Sequence, residues 1–270
     1  MTNDTTHGQT PEHTFVVMAY GDSPYLPECL DSLLHQTLPG EICIATSTPS
    51  DYLQEQANRI GAKMFVTEAG KGIAHDWNFA LRQAKTSYVT LAHQDDLYSP
   101  TYVERCLDAM RPYPEALICF TDYKELAGGE IRTDSLLLFI KRCMLHLFMP
   151  FRRSKSRFWK TRLLSLGCPI AAPSVLYQRE NLGDFQFSSA FTVNMDWDAW
   201  SRIALLDGYF FFIPEKLMLH RIHPDSATTR GIAAMRRQEE DARMYRRFWP
   251  APVARVLMYL YSMSYRSNKI

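Results

Sequence analysis

No stretch of this chain approaches the roughly 18 consecutive apolar residues of a membrane span. The opening MTNDTTHGQTPEHT is polar and has no apolar core of the secretory type. The expectation is a cytoplasmic protein. Cysteine is present six times, but never as CxxC, and most copies sit in apolar runs. That excludes a zinc ribbon and argues against a disulfide frame, leaving small buried hydrophobes in a reducing compartment. No GxGxxG follows the first apolar run, so a dinucleotide fingerprint is missing. Gly70-Lys71-Gly72 lacks the earlier glycine and the Ser/Thr of a P-loop. HExxH and GxSxG are absent too. From Ser135 to Arg179 there is no acidic residue. Formal net charge is only +1, which gives no global pull toward nucleic acid.

What is present points to an α/β domain. Hydrophobic residues make up 46% of 270, enough for a substantial core. After a polar tail over 1–13, Thr14 to Ala19 reads as a buried strand. Ser23 and Pro24 are expected to cap a helix carrying Leu26, Cys29, Leu30 and Leu33. Strands are expected at Glu41 to Thr46, Lys63 to Thr67, Tyr88 to Ala92 and Ala116 to Thr121. Helices are expected at Asp51 to Ile60, after Gly72, and after a Ser99-Pro100 cap. Strand and helix alternate with short connections, the pattern of a parallel sheet. Beyond 165, strands are expected near Val175 and at Tyr209 to Ile213, and helices at Met195 to Leu206, 233–248 and Val253 to Met263. No internal repeat or low-complexity segment occurs.

The segment YVTLAHQDDLYSP, Tyr88 to Pro100, carries the chemistry. Open sheets bind ligands beyond the carboxyl ends of their strands. Here such an end delivers His93, Gln94, Asp95 and Asp96. Two adjacent carboxylates leaving a buried strand need a cation or donor groups. Oxygen ligands of this kind suit Mg²⁺ or Mn²⁺ bridging to a diphosphate. A solvated loop with an Asp N-cap is the plainer alternative.

Three blocks together carry a resemblance. The run FVVMAYGDSPYLPECLDSLLHQTLP resembles the opening of family 2 glycosyltransferases, of the bacterial polysaccharide type with the GT-A fold. GIAHDWNFALRQAKTSYVTLAHQDDLYSPTYVE resembles that family's next block, in which a glycine-led helix precedes the strand with the DxD-type metal motif. DWDAWSRIALLDGYFFFIPEKLMLHRIHPDSATT resembles its C-terminal block. The resemblance covers roughly residues 14–110 and 165–230. It implies a Rossmann-like, mostly parallel sheet with a helical C-terminal extension. It also implies inverting transfer of a sugar from a nucleoside diphosphate donor to an acceptor hydroxyl.

Carried over by position, the resemblance puts His93-Gln94-Asp95 where the family has DxD, followed by Asp96. His93 replaces the first aspartate, and Asp95 becomes the metal candidate, with Mn²⁺ or Mg²⁺ as cofactor. Ala19, Tyr20 and Asp22 match the loop lining the nucleotide pocket, although Asp22 also fits a turn residue. The second strand ends Ala45-Thr46-Ser47-Thr48 without the family's base-reading aspartate, so Thr46 or Ser47 is left to offer a hydroxyl. Asp76 and Asn78 match donor-proximal positions; an exposed helix face is the alternative for Asn78. The family's catalytic Glu-Asp pair reads Met195-Asp196 here. Asp196 is the expected base and Asp198 the fallback, both also fitting acids that favour a helix N-terminus. His223, in Arg221-Ile222-His223-Pro224, matches a histidine near metal or diphosphate; a structural hydrogen bond is its alternative. Arg221 is placed beside phosphate or a surface acid.

The acid-free stretch interleaves Lys141, Arg142, Arg152, Arg153, Lys155, Arg157, Lys160 and Arg162 with Leu, Phe, Met and Trp159. A solvated helix face, a nucleic-acid surface and an anionic membrane surface all fit this pattern; the last is favoured. Arg236, Arg237, Arg243, Arg246, Arg247 and the run 253–263 would extend it, with packing on the catalytic domain as the alternative for that run. The expected organisation is a catalytic domain over 14–230, with a donor half (14–121), a basic insertion (135–165) and an acceptor half (166–230), then a helical extension over 231–270. Expected partners are a sugar nucleotide, a saccharide or lipid-linked acceptor and an anionic membrane, with no nucleic acid. Two rivals remain. A nucleotidyltransferase would carry a Gly/Lys-rich segment where AYGDSPYL stands. A silent sugar-nucleotide binder would account for the lost aspartate and glutamate.

Overall fold

A computed structural model describes residues 11–223 and 232–263. Most of the expected tail and the segment 224–231, including Pro224, lie outside the described residues. The first half alternates β1 (His13–Ala19), α1 (Leu26–Leu34), β2 (Glu41–Thr46), α2 (Asp51–Arg59), β3 (Lys63–Val66), α3 (Ile73–Gln83) and β4 (Tyr88–His93). Then come β5 (Leu97–Tyr98), α4 (Tyr102–Met110), β6 (Ala116–Ala127), β7 (Glu130–Arg132), α5 (Leu136–Phe148), β8 (Arg153–Ser154) and α6 (Arg157–Ser165). A short 3₁₀ turn leads to β9 (Val175–Gln178), α7 (Arg179–Leu182), α8 (Met195–Ile203), β10 (Tyr209–Ile222), α9 (Ile232–Phe248) and α10 (Ala251–Met263).

The sheet runs β3-β2-β1-β4-β9-β6-β10-β5. Its long pairings, β3-β2-β1-β4 and β6-β10, are parallel, and β9 is an antiparallel wedge between β4 and β6. The sheet is thus mostly parallel, as expected. After His13 and Thr14, β1 is apolar, and all its residues but Met18 are buried, because helices cover both faces of the strand. Alternation sorts its side chains: Val16 joins one core with Leu91, Phe120, Trp197 and Trp200. Phe15 and Val17 join the other with Leu30, Tyr102 and Cys106.

Local differences from expectation have local causes. Ser23 and Pro24 do not cap α1: Leu26 donates its N–H to Ser23 O at 3.3 Å, so the chain turns once before the helix. Ser99-Pro100 behaves alike, and Thr101 is the N-cap of α4. β6 and β10 outrun their expected ends at Thr121 and Ile213. The ladder slips between Ile213 and Lys216, where Pro214 has no N–H to give, then resumes to Ile222. That extension brings His220, Arg221 and His223 beside the end of β4.

The basic insertion is not one solvated face. Lys160 is 1% exposed and donates to Leu206 O (2.9 Å) and Gly208 O (2.8 Å), with burial pulling its ammonium down to about 8. Arg142 grips Asp122 at 2.8 Å and Asp134 at 3.2 Å, and Lys141 donates to the Tyr123 hydroxyl at 2.8 Å. These cations satisfy buried acceptors. Cys29, Cys43, Cys106 and Cys119 are buried free thiols, but Cys143 is exposed.

Candidate active site

β4 ends at His93, and a turn closed by Asp96 N–H donating to His93 O (3.3 Å) places three ligand types together. Atoms of His93, Asp95 and Asp96 lie within 4.8 Å of one another, a spacing a single cation can bridge. Asp96 is fully buried. Its Oδ1 lies 2.9 Å from His220 Nδ1 and accepts the Arg221 N–H at 2.9 Å. Burial alone would raise this carboxyl, but His220, His93 and the Arg221 amide together hold it below the usual carboxylate range. The His220 imidazole is pulled the other way: burial disfavours its charge, and Asp96 more than restores it. Asp95 Oδ2 sits 2.9 Å from His223 Nε2. Arg221 donates to Asp95 O at 3.0 Å and to Glu28 at 2.6 Å, and stacks over Tyr25 at 4.3 Å.

Two polar atoms in this group are buried without a partner, His93 Nε2 and Asp96 Oδ2. Unpaired buried acceptors are costly and rare. With Asp95 they form a carboxylate–imidazole set that fits a divalent cation, so the residues present suit the metal the fold implies. His223 touches this set only through Asp95 Oδ2 and is not among the three residues whose ligand atoms lie within 4.8 Å of one another.

The donor-side candidates divide. The Gln94 amide pairs with both backbone groups of Tyr20 (3.2 and 3.0 Å), locking the end of β4 to the loop after buried Ala19. The Tyr20 ring is 64% exposed and free to meet a flat ligand. Ser47 donates to Asp76 Oδ2 at 3.0 Å, and Asp76 Oδ1 is buried without a partner. Thr46 is spent in a turn: its Oγ1 accepts the Thr48 N–H at 3.0 Å. Asp22 accepts from Ser50, the N-cap of α2, at 2.5 Å. Asn78 spends both amide atoms on the Phe187 backbone (2.9 and 2.7 Å), tying α3 to the loop before α8.

Asp196 lies in the first turn of α8. Its Oδ1 accepts the Trp197 N–H at 2.7 Å, and the Cys168 thiol approaches Oδ2 at 3.9 Å. Burial raises its carboxyl, tempered by the Trp197 amide, Arg237, Lys141 and His93. Asp198 is different. It is buried between Arg202 (2.8 Å) and Arg247 (2.7 Å), a structural ion pair with no free oxygen to act as base.

One feature was hidden in the sequence. Glu240 on α9 accepts three backbone N–H groups, from Thr192 (2.9 Å), Val193 (2.8 Å) and Asn194 (2.9 Å), just before Asp196. Asn194 also donates to Asp241 at 2.7 Å, and burial pushes Asp241 up to about 6. Arg237, Glu240, Asp241, Met244 and Tyr245 share one helical face, and that i, i+3, i+4 pattern was the available signal. Assigning the arginines of α9 to the basic flank hid it. Arg243 and Arg247 likewise turn inward, to Ala190 O and to Asp198 with Ser201. Glu240→Ala strands three amides. We expect a loss of about 3 kcal/mol, or roughly 6 °C or more in Tm, measurable by calorimetry.

The sheet order, with the acidic turn at the end of β4, is that of a GT-A fold. The chain belongs to glycosyl transferase family 2, whose sequence model matches residues 14–175. It is 32% identical over 108 residues to chondroitin synthase of Escherichia coli, covering 38% of this chain but only 16% of the synthase. With an uncharacterized glycosyltransferase of Rickettsia typhi it shares 24% identity over 240 residues, 85% of this chain and 70% of that protein. A Pyrobaculum calidifontis mannosyltransferase, solved with GDP-Man and Mn²⁺, has the same fold. It superposes at TM-score 0.60 with 17% identity over 92% of this chain and 68% of that one. Among the described residues, no helix is long and apolar enough to cross a membrane.

Proposed function

We propose that this chain transfers a sugar, with inversion, from a nucleoside diphosphate donor to an acceptor hydroxyl during surface polysaccharide or glycolipid assembly. The observation that carries this reading is the cluster of His93, Asp95 and Asp96 at the end of β4, in a chain whose sequence matches the glycosyl transferase family 2 model. Solved neighbours with sugar nucleotides and Mn²⁺ support the donor class and the cation. His93, Asp95 and Asp96, with His223 in reserve, would hold a Mn²⁺ or Mg²⁺ ion; when bound, it supplies countercharge to the diphosphate.

The protein's own groups do the rest. The exposed Tyr20 ring offers a face to the nucleobase, Ala19 forms the floor beside it, and Asp22 keeps the adjoining loop against α2. Ser47 and Asp76 present a hydroxyl and an unpaired carboxylate oxygen to the ribose or sugar. Thr46 and Asn78 act behind them, through the Thr48 turn and the Phe187 backbone. Asp196 takes the proton of the acceptor hydroxyl as that oxygen attacks the anomeric carbon, opposite the departing diphosphate. Its carboxyl, raised by burial, is the better proton acceptor for it. The domain organisation given above follows, with the addition that α9 completes the acceptor half by holding the turn before Asp196. The acceptor is a saccharide or a lipid-linked saccharide. The basic flank supports a position on the cytoplasmic face of an anionic membrane.

A panel of sugar nucleotides with Mn²⁺, read by thermal stabilisation and by diphosphate release, tests the proposal. At least one donor should raise Tm and be turned over. A donor that stabilises without release would leave a silent binder, a reading that the loss of two family carboxylates would favour. No stabilisation by any donor would sink both.

A further inference from the structure

α5 is apolar on both sides. Leu138 and Leu145 face the core, while Leu136 (70%), Phe139 (62%), Ile140 (45%) and Leu147 (69%) are exposed on the opposite stripe. A helix apolar all round is normally covered. The exposed surface continues past the helix end through Phe151 (81%) to Phe158 and Trp159 on α6. Trp159 ties the patch together, 6.2 Å from Phe148 and 5.2 Å from Phe158.

Its border is cationic. Once Lys141, Arg142 and Lys160 are assigned to internal acceptors and Arg153 to the Tyr113 ring, Arg152, Arg157 and Arg162 remain beside Phe151, Phe158 and Trp159, and these three and Arg153 complete the basic set. Among the described residues none of these four pairs with a carboxylate. Beside Phe158 a cleft of about 310 Å³ opens between α6 and α9, lined by Arg157, Thr161, Arg162 and Arg247. Arg247 is neutralised by Asp198. Arg162 is stacked between Phe158 and Trp249, held in place with its charge uncompensated.

We propose that the outer face of α5 and α6 docks on an anionic phospholipid surface, with a lipid phosphate received in the arginine cleft. An apolar stripe bearing Leu, Phe and Trp with an arginine border is the chemistry of an interfacial helix, not of a span. A second copy of this chain fits poorly, because a two-fold contact would press the same uncompensated arginines together. Lys141, on the inner side of α5, is held by the Tyr123 hydroxyl at 2.8 Å, so it does not belong to the outer face.

The inference rests on the membrane reading above and narrows it to one face and one cleft. The test is co-sedimentation of the full chain with vesicles of phosphatidylcholine alone or with phosphatidylglycerol. Wild type should bind the anionic vesicles and be released by high salt. Leu147→Asp with Phe151→Asp should weaken binding tenfold or more. Arg157→Glu should weaken anionic binding roughly 30-fold, whereas Lys63→Glu, at the β3 edge of the sheet, should change little. Because every substituted side chain is exposed, melting temperatures should match wild type. Anionic binding that survives the α5 and α6 variants would overturn this face and leave the membrane reading intact. No vesicle binding by wild type would overturn both. So would a dimer dispersed by Leu147→Asp without lipid binding, or a cleft that answers only to soluble glycerol phosphate.

Discussion

Replacing Asp196 by asparagine is expected to lower kcat for sugar transfer by about 10²–10⁴-fold, the usual span for loss of a positioned base. Donor-induced stabilisation should persist, because the proposed role of Asp196 is toward the acceptor hydroxyl and not the donor. The side chain keeps its shape and still accepts the Trp197 N–H, so Tm should hold. The pH profile gives an independent check. Burial places the Asp196 carboxyl above its ordinary value, and a base works only when deprotonated. Wild-type activity should therefore rise with pH through a limb above the ordinary carboxylate range, and the asparagine variant should lack that limb. Asp198→Asn should behave in the opposite way. It weakens the partner of Arg202 and Arg247 and should lower Tm while sparing most of kcat. If Asp198 instead carries the rate effect, the assignment of the base is wrong.

Asp95→Ala is expected to abolish Mn²⁺-dependent stabilisation by the donor. At a donor concentration of 100 Kd that stabilisation amounts to about 2.7 kcal/mol, so its loss is readily seen in a melting curve. Titration calorimetry of Mn²⁺ alone separates metal loss from donor loss. Asp95 is partly accessible and leaves only His223 without its partner, so the metal-free fold should be little affected. Asp96→Ala should differ sharply. It removes the buried acceptor shared by His220 and the Arg221 amide, and leaving these unpaired costs about 3–5 kcal/mol. Metal affinity unchanged in Asp95→Ala would overturn the proposed ligand set.

The two carboxylates of the β4 turn were legible in the sequence, but their roles were not. Asp95 and Asp96 are neighbours in the chain, yet Asp96 is anchored to His220, 124 positions away, and Asp95 to His223, 128 positions away. Nothing local distinguishes the buried carboxylate from the accessible one. Asn78 shows the same limit, since its partner Phe187 lies 109 positions on.

The sequence by itself determined the alternation of strands and helices through Tyr88, the glycine-led start of α3, the acidic exit of β4 and the carboxylate in the first turn of α8. Each of these is written in residues that touch within a few positions, as periodicity, caps and turn chemistry. Tertiary structure alone decided that Glu240 holds the turn before Asp196 from 46 positions away, that Lys160 and Arg142 are interior cations, and that one side of α5 is left uncovered. A hydrophobic pattern says that a face will be buried, but not against what. A charge in the sequence does not say whether water or a distant carbonyl will solvate it.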